Sequence, residues 1–270
     1  MTALRDDQLP DGTLLLRSNL LESQGFPHAF STAIGPDGRD FDLSRPGHSP
    51  LETPADRLDL DITRFTRAVL PEGTLNSPRQ VHGIDIVDAC EADDTEADAA
   101  WTADPARIAA IRTADCVPIL LACPQRNEVV AVHAGWRGLV ADVPGAAIRM
   151  LVSRGSNPES MVAAIGPAIG VEVFEIGPEV AIEFKRAGLS DALRSGSPRP
   201  HGDLHMAAVQ RLRAGGLPAT GIDGEPACTA SSPRFFSHRR DHGRTGRHLA
   251  AIAPRTVAGS DPTDLRTCVR

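Results

Sequence analysis

The sequence has 270 residues, of which 41% are hydrophobic and 23% charged, a balance that is typical of a globular protein with a full core. A net charge of -7 and a pI near 5.7 argue against a general attraction to nucleic acid or to anionic membranes. No apolar run reaches the roughly 18 to 20 residues that span a bilayer, and the first residues lack a signal-peptide pattern. The five cysteines are few and scattered, so we expect a cytoplasmic protein without a disulfide framework.

Short apolar runs bounded by turn residues predict buried strands, and longer periodic segments predict helices between some of them. A helix over 203–214 is bounded by Asp203 as N-cap and Gly215 as its end. In chain order the prediction is a strand at 80–87, an exposed acidic connection at 88–104, strands at 117–122 and 129–133, a helix at 146–153 begun by Pro144, a strand at 161–165, helices at 178–187 and 203–214, and a strand at 249–253.

Strands and helices mix here without strict alternation, which favours an α+β layered fold over a doubly wound sheet. No break in composition divides the chain into halves. We therefore predict one domain over 1–254 and a loose polar tail over 255–270.

Three residues with metal-binding side chains lie at predicted strands. His82 lies within the first strand, Cys116 precedes the second, and His133 ends the third, just before a glycine-containing turn. Side chains at strand ends can converge at one rim of a sheet. Two imidazoles and a thiolate suit Zn²⁺, and three protein ligands leave a fourth position open, as in catalytic zinc sites.

Spacing alone leaves other interpretations open, because the three residues are far apart and include no close pair such as C-x-x-C. The residues could be two hydrogen-bonded histidines and a small buried cysteine. Cys116 could instead be the nucleophile of a thiol hydrolase with His133 as its base. A non-catalytic metal-binding or redox protein is a further alternative.

Several motifs in order narrow these alternatives. They are HAFSTAIG at 28–35, RQVHGIDIV at 79–87, TADCVPILL at 113–121, HAGWRGL at 133–139, AAIGPAIG at 163–170, FEIGPEV at 174–180, DLHMAAVQRL at 203–212 and FFSHRRDHGRTGRHLAAI at 235–252. Together they resemble the YfiH-type family, whose older name is the multicopper polyphenol oxidoreductase or laccase-domain family. The resemblance spans roughly residues 28 to 253.

The resemblance implies a four-layer α/β/β/α sandwich with a metal held by His82, Cys116 and His133. It also implies a purine nucleoside phosphorylase that deaminates adenosine and cleaves methylthioadenosine, with nucleoside and phosphate as small-molecule partners. Some members are linked instead to editing of peptidoglycan precursors, which implies amidase chemistry. The chain departs from the family pattern at Ala33, where an arginine is usual, in the segment 41–47, and at His238.

The laccase name implies copper, which the sequence supports poorly. A laccase needs four copper ions, held mostly by paired H-x-H motifs. This chain has nine histidines, and none of them stand in that arrangement. A single copper in the three-residue site is chemically possible, because Cu²⁺ outranks Zn²⁺ in affinity. We therefore expect zinc, with copper as the alternative.

Further polar residues near these motifs are candidates for substrate contact or catalysis. Asp115 could orient a ligand or move a proton, and it could equally cap a strand. Arg79 and Arg137 flank the two histidine motifs and could bind phosphate or remain surface cations. Ser31 could approach the substrate or form a local turn.

A basic, glycine-containing segment follows near the end of the predicted domain. Its arginines include Arg239, Arg240 and Arg244. Guanidinium groups beside glycine backbone suit phosphate recognition. We therefore predict that these three arginines hold phosphate, the alternative being a solvated basic turn.

Overall fold

The computed structural model describes residues 1–196 and 198–256. Within these ranges two mixed sheets dominate. The first has the strand order β1–β2–β3–β14–β7–β4 and the second the order β13–β10–β8–β9–β6–β5. The strands are β1 (Arg5–Gln8), β2 (Leu14–Arg17), β3 (His28–Ser31), β4 (Thr74–Asn76), β5 (Ile86–Asp88), β6 (Ala99–Thr102), β7 (Arg107–Thr113), β8 (Val117–Cys123), β9 (Glu128–Ala134), β10 (Val162–Ile165), β13 (Ile222–Asp223) and β14 (His248–Ile252), with a small separate pair β11 (Leu193–Arg194) and β12 (His201–Gly202).

The described α-helices are α1 (Asn19–Ser23), α2 (Ala55–Val69), α3 (Trp136–Val140), α4 (Val143–Ser153), α5 (Pro178–Arg186) and α6 (Leu204–Ala214). Five of these six helices, α2 to α6, cover the outer faces of the two sheets, whereas Leu21 of α1 packs in the core between the sheets. Helix α2 packs on the first sheet, and α4 and α6 pack on the second. The two sheets face each other, so the chain forms the predicted four-layer α/β/β/α sandwich.

Successive side chains of the central strands point to opposite faces of their sheet, which explains the layers. On β7, Ile108 and Ala110 face α2, whereas Ala109 and Ile111 face the second sheet. The central strands of both sheets are apolar on both faces, because each sheet is covered on one side by helix and on the other by sheet.

Most predicted elements are confirmed. The strands at 117–122, 129–133, 161–165 and 249–253 match β8, β9, β10 and β14 to within one or two residues. Helix α6 begins after Asp203, whose carboxylate accepts the N–H of Met206, and it ends at Gly215. Helix α4 begins earlier than expected, with its N-cap at Asp142.

Two predictions on either side of residue 88 are wrong. The predicted strand 80–87 is a loop up to Asp85 and becomes strand only from Ile86. The predicted exposed connection 88–104 contains β6, which lies between β9 and β5 in the second sheet and is largely buried. Ala100 of β6 packs between the two sheets and Ala99 packs on the helical side, while Asp98, just before the strand, is buried because backbone N–H groups surround it.

The predicted tail lies outside the described residues apart from residues 255 and 256. Arg255 itself is anchored. Its backbone N–H donates to Asn127 Oδ1 at 2.8 Å, and its guanidinium lies 5.0 Å from the ring centre of Phe26.

Candidate metal centre

His82, Cys116 and His133 converge at one edge of the sandwich. Their ligand atoms all lie within 4.8 Å of one another, and Cys116 Sγ is 3.9 Å from His82 Nε2. His133 is buried, Cys116 is half-buried and His82 is exposed. Three donors at these separations can surround one ion while leaving the exposed side open.

The crossing of the chain between the sheets explains this convergence. The segment 77–85 leaves β4 in the first sheet and enters β5 in the second, and it carries His82. The segment 114–116 leaves β7 in the first sheet and enters β8 in the second, and it ends in Cys116. Both crossings lie at the edge where β9 presents His133, which pairs with Pro118 of β8.

Asp98 holds two of the three ligands in place, and the sequence analysis missed it. Its Oδ2 accepts the N–H of Val81 at 3.2 Å and of Gly83 at 2.5 Å, and its Oδ1 accepts the N–H of His82 at 2.9 Å. The same Oδ1 lies 2.7 Å from His133 Nδ1. A carboxylate only accepts, so His133 carries a proton on Nδ1, and the neutral ring keeps Nε2 free for a metal.

The hydrogen bonds of Asp98 also stabilise an unusual backbone. His82 has a φ of 62°, in the left-handed region that most residues with a side chain avoid. Such a conformation costs on the order of 1–3 kcal/mol and persists only where surrounding contacts impose it. The three N–H groups bound by Asp98 supply those contacts.

Charges within the cluster favour a thiolate. Burial alone would raise the pKa of Cys116, but the charge and hydrogen bonds of His133 and His82 outweigh it and lower that pKa to about 6. Burial alone would lower the pKa of His133, but Cys116 and Asp98 raise it to about 9. Without a metal, the cluster therefore favours a thiolate beside a protonated imidazole, and a divalent cation can replace that proton.

The donor set fits a zinc ion. Zinc accepts thiolate and imidazole ligands in tetrahedral geometry, and three protein ligands leave its fourth position open. Here the open side faces a cleft, and Asp98 supplies the second hydrogen bond that metal-bound histidines usually make. In the ranges 1–196 and 198–256 these residues form the one cluster of at least three His, Cys, Asp or Glu ligands that could hold an ion, so the described structure offers no second site for a multicopper centre.

Gly135 leaves room for the cluster. A Cβ on this residue would lie 2.9 Å from His82 Cδ2 and 3.0 Å from Cys116 Sγ, although its φ of -71° suits any residue. We expect Gly135→Ala to weaken zinc binding roughly tenfold or more by displacing two ligands, while the fold is kept. Competition with a chromophoric chelator measures the affinity. Unchanged affinity in a variant with an unchanged melting temperature would contradict this prediction.

The cluster lies in a cleft with two chemically different walls and a volume of about 870 Å³. One wall, here called the apolar wall, belongs to the helical side of the second sheet and consists of Trp136, Ile169, Phe174 and Leu204. The opposite wall, the basic wall, belongs to the outer side of the first sheet and consists of Ser44, Arg45, Arg112 and Arg247. A ligand with an apolar ring and an anionic group fits such a cleft.

Two of the predicted arginines line the cleft. Arg79 does so while it forms an ion pair with Glu96 at 2.8 Å. Arg239 also does so, but its guanidinium donates to the carbonyls of Val173 and Glu175, both at 3.3 Å, and lies over Phe174.

Asp115 also lines the cleft, in a left-handed conformation with a φ of 89°. Its Oδ1 accepts the hydroxyl of Thr229 at 2.5 Å, and its Oδ2 accepts the backbone N–H of Arg239 at 2.7 Å. The carboxylate thus joins the segment before Cys116 to two other loops.

Four predicted residues lie outside the cleft lining. Ser31 is buried in β3, where its hydroxyl accepts the N–H of Leu249. Arg137 is exposed and stacks on Trp136 at 4.4 Å, and Arg244 is exposed. Arg240 pairs with Asp241 and donates to the carbonyls of residues 229, 232 and 235. Their role in substrate binding stays a prediction.

The fold and the site define a class: a four-layer sandwich with a two-histidine, one-cysteine cluster open to a cleft. The sequence model of the family described as "Multi-copper polyphenol oxidoreductase laccase" matches residues 58–255. The chain belongs to this family, which includes the YfiH proteins.

Several relatives carry names of nucleoside enzymes. A purine nucleoside phosphorylase of Deinococcus radiodurans is 39% identical over 173 residues, which cover 64% of this chain and 67% of the relative. One from Xylella fastidiosa is 42% identical over 180 residues, covering 63% and 68%. Adenosine deaminase RL5, from an unknown prokaryotic organism, is 33% identical over 211 residues, covering 72% and 80%.

Solved structures confirm the fold. The crystal structure of YlmD from Geobacillus stearothermophilus superposes with a TM-score of 0.81 at 27% identity, covering 93% of this chain and 99% of that chain. Bacillus licheniformis YfiH gives a TM-score of 0.80 at 24% identity with the same coverage. Among the described helices, none combines the length and the hydropathy needed to cross a bilayer.

Proposed function

We propose that this protein is a zinc-dependent purine nucleoside phosphorylase. It would split adenosine or inosine with phosphate into the free base and ribose 1-phosphate, with adenosine deamination and methylthioadenosine cleavage as side activities. The observation that carries the proposal is the position of the His82–Cys116–His133 cluster between an apolar wall and a basic wall. The names of the relatives support the same class of reaction.

The two walls match the two ends of the reaction. A purine ring can stack on Trp136 or Phe174, and phosphate can bind to the arginines opposite. Phosphorolysis breaks the bond between the sugar C1′ and the base nitrogen and forms a bond from C1′ to a phosphate oxygen, while the base takes up a proton. A cleft that holds both reactants across the breaking bond lowers the entropy cost of their encounter.

The residues of the cluster would hold one divalent metal, zinc before copper. When bound, such an ion polarises a substrate atom or acidifies a water molecule. For deamination, a water molecule would attack C6 of adenine and ammonia would leave, so the apolar wall must bring that carbon to the open side of the cluster. Asp98 keeps His133 in the tautomer that leaves Nε2 available throughout.

One further observation favours a second candidate function. Cys116, His133 and Asp98 lie in the order of a cysteine-hydrolase triad, and the pKa of Cys116 is lowered to about 6 by its two histidine neighbours against the effect of burial. Attack of the thiolate on an amide carbon would form a thioester and release an amine, and water would then release the acid. Cleavage of an amide in a peptidoglycan precursor is therefore the alternative.

The proposal is tested by incubating the zinc-loaded and the metal-free protein with adenosine and phosphate. Preparation without a nickel column avoids contamination, and chromatography identifies adenine, inosine, hypoxanthine and ribose 1-phosphate. We expect base release that needs both phosphate and metal. A fully loaded protein that releases no base and forms no inosine would contradict the proposal. Amide cleavage by the metal-free protein, with a trapped acyl group on Cys116, would favour the hydrolase.

A further inference from the structure

We propose that Arg112 and Arg247, assisted by Arg45, form the subsite that binds inorganic phosphate. The inference rests on the proposed function, in which phosphate is the second substrate. It places the phosphate on the basic wall of the cleft rather than on the arginine segment 239–244. These three arginines line the cleft and come from three separate parts of the chain.

The strand register brings Arg112 and Arg247 together. Arg112 pairs with Leu249 across β7 and β14, and Arg247 lies two residues before Leu249. Arg247 stands one residue before β14, and the alternation of side chains along that strand, continued by one residue, places Arg247 on the same face as Arg112. Leu249 belongs to the core under α2, which places both arginines on the outer side of the first sheet.

Backbone carbonyls and the hydroxyl of Ser77 orient the two guanidiniums and leave part of each unbound. Arg112 Nε donates to the carbonyl of Leu43 at 2.8 Å, and its Nη1 donates to Ser77 Oγ at 2.9 Å. Arg247 Nη1 donates to the carbonyls of Thr245 at 2.9 Å and Gly246 at 3.1 Å. Within residues 1–196 and 198–256, Nη2 of Arg112 and both Nε and Nη2 of Arg247 have no hydrogen-bond partner.

Neither arginine forms an ion pair in the described part of the chain. Asp42 and Asp93 are the carboxylates that interact electrostatically with Arg112, but the oxygens of both accept hydrogen bonds from other residues. Asp42 accepts from Ser44, Ser49, Thr53 and the backbone N–H of Arg247, whereas Asp93 accepts from Asn76 and the backbone N–H of Ser77. The two carboxylates offset part of the charge without covering the guanidinium groups.

Arg45 adds a third positive charge. Its guanidinium donates to the carbonyls of Ser77 and Asp93 and to no carboxylate in the described ranges. Burial, together with the charge of Arg45, lowers the pKa of Arg112 to about 10, so Arg112 stays protonated at neutral pH. Holding like charges together in a partly buried wall costs free energy unless an anion completes the arrangement.

Arg240 and Arg244 are less suited to this role. The guanidinium of Arg240 is bound to Asp241 and to three carbonyls, and Arg244 lies outside the cleft lining. Arg247 also interacts electrostatically with Cys116, so its subsite adjoins the cluster. A phosphate there would face a sugar whose base rests on the apolar wall.

Calorimetric titration with inorganic phosphate tests the subsite in the full-length zinc-loaded protein. We expect Arg112→Gln and Arg247→Gln each to weaken phosphate binding roughly ten- to a hundredfold, as the loss of a charged, forked hydrogen bond predicts. The KM for phosphate should rise in parallel, and the KM for nucleoside should change less than about twofold. Arg186→Gln, on the exposed side of α5 and paired with Glu183, is the matched control.

The outcomes separate the two proposals. If both variants lose phosphate binding and the unmutated protein shows no phosphorolysis, the subsite is kept and the proposed function is overturned. If the unmutated protein catalyses phosphorolysis and the KM for phosphate is unchanged in both variants, the function is kept and the subsite is overturned. Arg247→Gln decides the matter if Arg112→Gln unfolds, because among the described residues the side chain of Arg247 donates hydrogen bonds only to its neighbouring carbonyls. Adenosine monophosphate that binds more tightly than phosphate, and is lost in the same variants, would assign the site to a phosphate ester instead.

Discussion

We expect His133→Ala to lower the turnover rate about a thousandfold or more. The variant retains only two of the three ligands, His82 on an exposed loop and the half-buried thiol of Cys116. Two ligands cannot hold zinc as three do. Loss of a catalytic metal removes several kcal/mol of transition-state stabilisation, and each 1.36 kcal/mol is a factor of ten in rate. Elemental analysis and the rate of base release from adenosine measure the two effects together.

The control for this prediction is another histidine that the structure places elsewhere. His201 lies in β12, pairs with Arg194 and does not line the cleft. His201→Ala should keep one equivalent of zinc and nearly full activity. A His133→Ala protein that is folded, free of metal and still active would show that the reaction does not use the cluster.

The second large effect is expected for Asp98→Asn. Asparagine keeps the size of the side chain, but its amide nitrogen would face either the N–H groups of Val81 and Gly83, or the N–H of His82 together with Nδ1 of His133, and all of these are donors. The loop that carries His82 and the ring of His133 would then lose a shared anchor. Loss of such a partner typically costs ten- to a hundredfold in metal affinity, and we expect a change of that size.

Zinc affinity is measured by chelator competition, and ¹⁵N spectra report the tautomer of His133. A merely structural role for Asp98 would lower the melting temperature and leave that tautomer unchanged, which would contradict the prediction. Asp94→Asn is the matched control, because Asp94 is an exposed acid in the same cleft, and in the described part of the chain the N–H groups of residues 81–83 bind Asp98 instead. It should leave both measurements unchanged.

The central strands could be predicted from the sequence because they are apolar on both faces. The segments 117–122 and 129–133 contain almost no polar side chain, so length and flanking turns suffice to identify them. Helix α6 could be bounded by its own cap, since Asp203 and Gly215 mark its ends. The ligand cluster was predicted from three motifs whose order is more specific than any spacing between them.

Site residues whose environment depends on contacts between distant parts of the chain could not be found from the sequence. Asp98 stands in an acidic, alanine-rich segment that resembles an exposed connection, and its burial depends on N–H groups from another loop. Arg112 and Arg247 are separated by most of the second half of the chain, and only the register between β7 and β14 makes them neighbours. A charged residue at the end of an apolar strand, as at Arg112, was the available signal.

The two walls of the cleft belong to opposite outer layers of the sandwich, and this separation has an evolutionary consequence. The apolar wall packs with the helices on the second sheet, whereas the basic wall is built on the outer side of the first sheet, near α2. Mutations can therefore remodel one wall of the cleft without disturbing the other. The departures of this chain from its family at Ala33 and in 41–47 lie on the first-sheet side with the basic wall, whereas the motifs that carry His82, Cys116 and His133 at the seam between the sheets keep the family pattern.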